Sequence, residues 1–391
     1  MYIETNAALG LMNAMSGGAL TRMSIAALGI GPFISATIIT QVLTVFVPSL
    51  FRLSQKRTRN DEKKMDRINI IIALLIAIAE SLVFAVGFAQ AGILRENNIF
   101  YITLTAAIWT GASVFISCMG KLITNRFIGN GVSLILFMNI VCGFPSDIVM
   151  VKETLIDGSD GINTVVLTAI ITAAVFAIFI AAYVVQKTEK RLPVIYKGKL
   201  SNDISGKRLN YLPLKLCPGS VMPVVFTGAV FSFPAILFTL IGTGSETASG
   251  FFTTTAWFDP NHLLYTLGAV GYAALIVFFT FLYNNISANP VEISEAIEKR
   301  GGMVAGKHPG KETADFIKIE SGKMLKRGCV FTVAIAILPI ILSNILDING
   351  IAFLGTSVII ITGTVIETYN ELYAASLASA ERKKLDKGGL L

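Results

Sequence analysis

The sequence predicts an all-α, polytopic membrane protein. Hydrophobic residues make up 53% of its 391 residues and charged residues only 15%, and the mean hydropathy is +0.69. Apolar runs recur along the chain at about 20 residues, the length of helix that crosses a hydrocarbon layer of ~30 Å. Nine segments are predicted to span the membrane: 25–48, 68–88, 102–120, 131–148, 164–185, 219–242, 262–284, 329–346 and 351–373.

Charge placement predicts the orientation of these spans. Of the 32 Lys and Arg residues, 29 lie in five linkers: 49–67, 121–130, 186–218, 285–328 and 374–391. All five linkers fall on the same side of the nine-span arrangement, and the positive-inside rule places that side in the cytosol. The net charge of +7 is therefore a property of the cytosolic face.

The first span contains unusually many helix breakers. Gly17 and Gly18 precede it, and Gly29, Gly31 and Pro32 interrupt it. Two interpretations stay open: a kinked helix packed among others, which composition favours, or a helix broken to line a cavity. The second has a physical basis, because backbone freed inside a membrane must be satisfied by protein or water. The preceding segment, 1–20, is predicted to lie outside, as a surface helix or folded into that cavity.

Aliphatic residues recur one helical turn apart in two spans. Ile34 and Ile38 follow the break in the first span, beside small hydroxyl residues, and Leu136 and Ile140 repeat the spacing in the span 131–148. Residues four apart share one face of a helix. An aliphatic face of this kind would suit the wall of a pore.

Few groups in the spans can carry chemistry. Glu80 is the carboxylate near mid-span, and such a group is either functional or a structural hydrogen-bonding partner of other helices. The four cysteines, Cys118, Cys142, Cys217 and Cys329, lack metal-ligand spacing and are predicted to be small buried residues rather than disulfides or metal ligands. We therefore predict neither a metal site nor a cofactor.

Two of the basic linkers are long enough to fold. In 186–218 the run LPVIY, followed by turn-forming residues, predicts a β-hairpin. In 285–328 Asn289 is predicted to cap a helix with Pro290 in its first turn and Gly301 at its end. Both linkers are basic, which favours docking of an acidic partner such as ribosomal RNA or an acidic protein.

Five blocks of the sequence resemble the bacterial SecY family of protein-translocase channel subunits. They occur in the family's order and cover nearly everything from Gly17 to the C-terminal tail: SGGAL with MSIAALGIGPFISATIITQ, ITNRFIGNGVSLILF, LPLK with VMPVVF, NPVEISEAIEKRGGMVAGKHPGKETADF, and FLGTSVIII. In the family a further span precedes the first block, so the resemblance implies nine of the usual ten spans. We expect the 391-residue chain alone to insert but to be labile.

The resemblance implies a SecY-type inverted-repeat helical channel with no enzymatic activity. Residues 1–148 would form the remainder of the N-terminal half, with the plug segment and four spans. Residues 149–391 would form the C-terminal half, with five spans and the long loops 186–218 and 285–328. The channel would pass unfolded preproteins across the cytoplasmic membrane of a bacterium and nascent helices into it. The implied partners are the SecE and SecG subunits, the SecA motor ATPase, the ribosome, preprotein substrates and membrane lipids.

The resemblance also implies roles for individual residues, none of them catalytic. A pore ring that seals the channel would comprise Ile34, Ile38, Leu136, Ile140, Val225 and Ile360. A plug would comprise roughly Thr5 to Met15. Cytosolic partners would dock at Lys207, Arg208, Lys307 and His308, the last of which replaces an arginine of the family.

Two other classes of protein remain as alternatives. A secondary transporter of a small solute would also have broken helices and inverted repeats, but it would need several membrane-depth charges, and Glu80 is essentially alone. A membrane enzyme would need a nucleophile with a base. The two histidines, His262 and His308, lie at a span edge and in a loop, and neither HExxH nor GxSxG occurs.

Overall fold

The computed structural model describes most of the chain, as a bundle of helices with a small β-sheet. The described residues are 16–20, 22–55, 59–90, 92, 94, 98–127, 129–157, 162–196, 210–217, 219, 221–241, 251–252, 257–258, 263–287, 289–346 and 354–387. The helices are α1 Gly31–Phe46, α2 Pro48–Gln55, α3 Arg59–Gln90, α4 Ile99–Arg126, α5 Gly131–Asp157, α6 Ile162–Lys187, α7 Met222–Ile241, α8 Thr266–Ser287, α9 Pro290–Lys299, α10 Lys311–Leu346 and α11 Leu354–Lys387. The strands are β1 Glu189–Tyr196, β2 Asn210–Lys215 and β3 Gly302–Val304, and a 3₁₀ turn covers Leu263–Tyr265.

A helix overlaps each of the nine predicted spans. Within the described residues, five helical segments are long and apolar enough to cross a membrane: Asn60–Ala89, Ile99–Arg126, Ala169–Lys187, Thr266–Asn284 and Lys311–Asn344. Shorter apolar helical segments cover Gly31–Thr44, Gly131–Pro145 and Met222–Phe231. The membrane-embedded, helical class is therefore confirmed, while the count of nine spans stays a prediction.

The first span is not the kinked helix that composition favoured. Residues 25–30 form turns, and α1 begins only at Gly31, with Pro32 in its first turn. Proline fits there because the first N–H groups of a helix have no intrahelical partner. Gly29, with φ of +54°, ends the turns in a conformation that suits glycine. α1 is thus about 24 Å long, and residues 27–30, directly before it, are buried.

The turns before α1 pack partly inside the bundle, although Ile25 is 70% exposed. Leu20, Leu28 and Ile30 are buried, and Leu20 and Leu28 share an apolar cluster with Phe84 and Trp109. The predicted surface helix and the predicted plug, Thr5 to Met15, both depend on residues 1–15, which lie outside the described residues.

Polar groups fasten neighbouring helices to one another. α3 packs against α1 and α4, and Asn69 of α3 accepts a hydrogen bond from Thr40 and donates one to Thr37, both on α1, at 3.1 and 3.2 Å. Farther along the chain, the Gly129 N–H donates to Glu371 Oε2 at 2.7 Å. This bond connects the turn between α4 and α5 to α11.

The two long linkers fold together into one unit. The predicted hairpin is present: β1 pairs antiparallel with β2, from Glu189 opposite Lys215 to Val194 opposite Asn210. Sequence analysis missed β3, which comes from the second linker and pairs with the other edge of β1. We call the unit formed by β1, β2, β3, α9 and residues 311–328 of α10 the sheet platform. Its apolar centre comprises Leu192, Val194, Leu214, Ile297, Val304 and Ile317.

The prediction of four buried cysteines is half wrong. Cys217 and Cys329 are buried, whereas Cys118 and Cys142 are exposed on the outer surfaces of α4 and α5. A span that touches lipid can carry a small apolar residue on either face, so hydrophobicity alone does not distinguish inside from outside. All four cysteines are free thiols.

Candidate functional site

The six predicted pore-ring residues lie in one apolar cluster between the helices. Each is at most 5% exposed, although they come from α1, α5, α7 and α11. We call this set of buried residues the central cluster: Ile30, Phe33, Ile34, Ala36, Ile38, Ala73, Leu136, Ile140, Val221, Val225, Phe226, Phe279 and Ile360. The structure thus brings the six together, and their role as a constriction stays a prediction.

Helical spacing explains how each helix reaches the cluster. Ile34 and Ile38 are one turn apart on α1, and Leu136 and Ile140 are one turn apart on α5, so each pair shares a face. Val225 on α7 and Ile360 on α11 have no such pair among the six. The residue pattern therefore points to the first two pairs, whereas the last two positions came only from the family resemblance.

Several members of the cluster were missed by sequence reasoning. The rings of Phe226 and Phe279 meet edge to face, with centroids 5.9 Å apart and planes at 76°. Such aromatic pairs contribute beyond their buried area. Both phenylalanines are in long apolar runs where nothing in the residue pattern distinguishes the inward face.

Three hydroxyl groups beside the cluster donate to carbonyls of their own helices. Thr37 donates to the Phe33 carbonyl at 2.9 Å, Thr227 to the Pro223 carbonyl at 2.8 Å, and Thr362 to the Val358 carbonyl at 2.7 Å. Ser133 Oγ on α5 and Thr364 Oγ1 on α11 are buried without a hydrogen-bond partner among the described residues, whereas the members of the central cluster are aliphatic and aromatic. An apolar constriction of this kind excludes water and ions by dewetting.

Glu80 does not belong to the central cluster. It is a buried residue of α3, next to Ser81, whose hydroxyl bonds with the Thr110 hydroxyl at 2.8 Å. Glu80 Oε2 has no hydrogen-bond partner among the described residues. Both interpretations of Glu80 therefore stay open. Within the described part of the chain, no cluster of three or more His, Cys, Asp or Glu could hold a metal ion.

Two of the predicted docking residues lie on the turn between β3 and α10. Lys307 Nζ is 3.1 Å from Glu312 Oε1 and 5.8 Å from the centre of the Phe316 ring. The hydrogen bond from Lys307 holds the pKa of the Glu312 carboxyl below its ordinary value. Lys207 and Arg208, the other two, lie outside the described residues.

The backbone of this turn is held in place while the histidine side chain stays exposed. The His308 N–H donates to Glu312 Oε2 at 3.4 Å, and the His308 carbonyl accepts from the Thr313 hydroxyl at 2.7 Å. Gly306 and Gly310 flank it with φ of +77° and +94°. The exposed His308 imidazole therefore projects from a fixed turn of the sheet platform.

These features define a class, that of helical membrane proteins whose helices enclose an apolar centre in the manner of a closed channel. The SecY family model matches residues 24–369, and the chain therefore belongs to the SecY family.

Curated relatives are similar over almost their whole length. The protein translocase subunit SecY of Mycobacterium tuberculosis is 31% identical over 385 residues, which covers 94% of this chain and 85% of that protein. The protein translocase subunit SecY of Bacillus subtilis is 30% identical over 373 residues, which covers 93% and 84%.

Solved structures share the fold. One described as "The structure of a protein conducting channel" superposes with a TM-score of 0.68 at 15% identity, over 94% of this chain and 85% of that one. Another, "Sec61 in the Canine ribosome-channel complex from the endoplasmic reticulum", gives a TM-score of 0.65 at 16% identity, over 94% and 85%. The predicted SecY-type helical channel fold is confirmed.

Proposed function

We propose that this chain forms the pore through which a bacterial Sec translocase moves unfolded preproteins across the cytoplasmic membrane and releases nascent helices into it. As a member of the SecY family, the chain is a protein-conducting channel subunit. The observation that carries the proposal is the central cluster, in which Ile34, Ile38, Leu136, Ile140, Val225 and Ile360 are buried against one another.

The chemistry of the cluster suits a passage for chains of any sequence. An unfolded polypeptide presents side chains of every kind, so a pore with fixed hydrogen-bond donors would hold some of them tightly. Aliphatic side chains make non-directional contacts and can exchange them for contacts with a passing chain. With no chain present they close on one another and exclude ions.

The proposed partners follow from the family and from the sheet platform. SecE and SecG would complete the channel, while the SecA motor or the ribosome would dock at Lys207, Arg208, Lys307 and His308. A structural relative is a ribosome-channel complex, which supports the ribosome as one partner. Membrane lipids would surround the apolar outer surfaces, and we assign no catalytic activity or cofactor.

We also propose the division into two halves, 1–148 and 149–391. Contacts of α1 and α3 with α7 and of α5 with α11 are among those that would join the halves. Movement of the halves against each other would open the central cluster. α5 continues past residue 148 to Asp157, so the connection between the halves begins within that helix.

Crosslinking to a stalled substrate tests the pore. Cysteine at Ile38 or Ile140 should form disulfides with a cysteine-bearing preprotein arrested in transit, because the chain would pass these side chains. Cysteine at Phe115, exposed on the outer surface of α4, is the matched control, and the wild-type chain measures the background from its own thiols. Lack of a crosslink at both sites, in a complex shown to hold the substrate, would refute the pore.

A further inference from the structure

One hydrogen bond crosses between helices directly beside a pore-ring position. Gln186 Nε2, near the C-terminal end of α6, donates to the backbone carbonyl of Ile359 on α11 at 2.8 Å. Ile359 immediately precedes Ile360, the residue that α11 contributes to the proposed ring. Gln186 is only 7% exposed, so water competes little for this bond.

The Ile359 carbonyl attracts a second side-chain donor. The Thr362 hydroxyl lies 3.2 Å from the Ile359 carbonyl oxygen and 2.7 Å from that of Val358. In an α-helix each carbonyl ordinarily accepts from the N–H four residues later, so side-chain donors are additional here. The threonine bonds back to its own helix, whereas the glutamine comes from another helix and connects α11 to α6.

Apolar packing alone leaves the height and rotation of α11 weakly defined. Val358, Ile359 and Ile360 are all buried among other apolar side chains, and such contacts are non-directional. A hydrogen bond to a backbone oxygen is directional and falls off steeply with distance and angle. It therefore specifies where α11 sits relative to α6 at the residue beside the ring.

We infer that Gln186 is a positioning residue that holds Ile360 in the closed constriction. The inference rests on the proposed function, because it requires that Ile360 help to seal the pore. Gln186 touches no translocating chain itself; it acts through the Ile359 backbone. The burial of its Oε1 without a partner among the described residues indicates that the amide is kept there for its donor.

The test is ion leak through the resting channel, measured as current in planar bilayers in potassium chloride with the full-length chain in its native membrane complex. Gln186→Met keeps the length of the side chain and removes the donor. We expect the fraction of time open to rise about fivefold, the factor that corresponds to losing one hydrogen bond of about 1 kcal/mol. Gln186→Leu should behave like Gln186→Met, since it too lacks a donor.

Two further variants separate the possible failures. Ser117→Ala also removes one buried bond, from the Ser117 hydroxyl to the Ser113 carbonyl at 2.8 Å, but on α4 and outside the central cluster. Ser117→Ala should leave the leak unchanged. The thermal midpoint should fall no further with Gln186→Met than with Ser117→Ala. Ile360→Ala should raise the leak directly.

Each outcome decides one of the two proposals. A leak with Ile360→Ala but none with Gln186→Met would overturn the positioning role alone. A leak with Ser117→Ala as large as that with Gln186→Met would also overturn it, since any lost bond would then suffice. An unchanged leak with Ile360→Ala would overturn the constriction, and the positioning role with it.

Discussion

The central cluster and the sheet platform are built on opposite physical principles. Four helices that are distant in the chain supply the ring residues of the central cluster, and its members meet through apolar contacts. In the platform, a strand ladder sets the register of β1, β2 and β3. An ion pair between Glu320 and Lys190 then ties α10 to β1, and Lys323, also on α10, pairs with the same carboxylate.

The difference agrees with the proposed function, in which the central cluster opens and the sheet platform keeps its shape. Contacts without direction can be exchanged for others at small cost, as a pore that closes on itself requires. Strand pairing and ion pairs tolerate little displacement, which suits a surface that presents a fixed turn to a partner. Each prediction below would break or sharpen this contrast, from the largest expected effect to the smallest.

Ile38→Asp should give the largest effect, because it places a charge inside the central cluster. A buried charge without a partner costs several kcal/mol, so the closed state should be lost. We expect a strong rise in ion current and a lower thermal midpoint. Ile38→Leu, which keeps the volume, is the control and should cost less than about 1.5 kcal/mol. If Ile38→Asp causes no rise in ion current, this position does not seal the pore.

Ile317→Ala should loosen the platform without opening the pore. Ile317 is 1% exposed in the platform's apolar centre, and removal of such a side chain typically costs 2–5 kcal/mol. Hydrogen exchange should speed up in β1, β2 and β3, while the bilayer current stays at the wild-type level. Ile319→Ala, on an exposed face of the same helix, should change neither. Increased current from Ile317→Ala would show that the two regions are coupled.

Asn289→Ala should have a smaller, local effect on the platform. The Asn289 side chain accepts a hydrogen bond from the Val291 N–H at 3.1 Å and so caps α9. Loss of such a cap costs about 1 kcal/mol, which should appear as faster amide exchange in the first turn of α9. Asn289→Asp keeps the acceptor and should restore protection. Equal exchange in all three proteins would show that the cap contributes nothing.

Lowering the pH should produce the smallest effect on amide exchange, and only in the sheet platform. Lys190 and Lys323 bond to Glu320 and hold its pKa at about 2, below the ordinary 4.5. A carboxyl whose pKa is depressed by folding stabilises the protein above its ordinary pKa, and this contribution is lost as the pH falls from about 4.5 towards 2. Amide exchange in β1 should therefore accelerate across that window, modestly because the pair is near solvent. Glu320→Gln should flatten this dependence, and an unchanged profile would contradict it.

Local features of both regions could be predicted from the sequence. The run LPVIY indicated the hairpin, and Asn289 with Pro290 indicated the start of α9, because caps and turns depend on residues adjacent in the chain. The spacing of Ile34 with Ile38 and of Leu136 with Ile140 indicated two shared faces. These predictions needed no knowledge of what the elements pack against.

Features that depend on distant partners could not be predicted in this way. β3 is a strand only because β1 offers it a free edge from another linker. Gln186 was assigned to a linker, yet it lies in the last turn of α6, buried, and donates a hydrogen bond to the Ile359 carbonyl. Cys118 was expected inside and lies outside.

By itself, the sequence determined the membrane class and the family, since hydropathy and motif order are properties of the linear sequence. Only the tertiary structure decided which apolar side chains face one another. In a membrane span both the lipid-facing and the protein-facing sides are apolar, so composition carries no signal for direction. The meeting of Val225 and Ile360 with Ile38 therefore depends on how three helices cross, because packing and a few directional hydrogen bonds set that crossing.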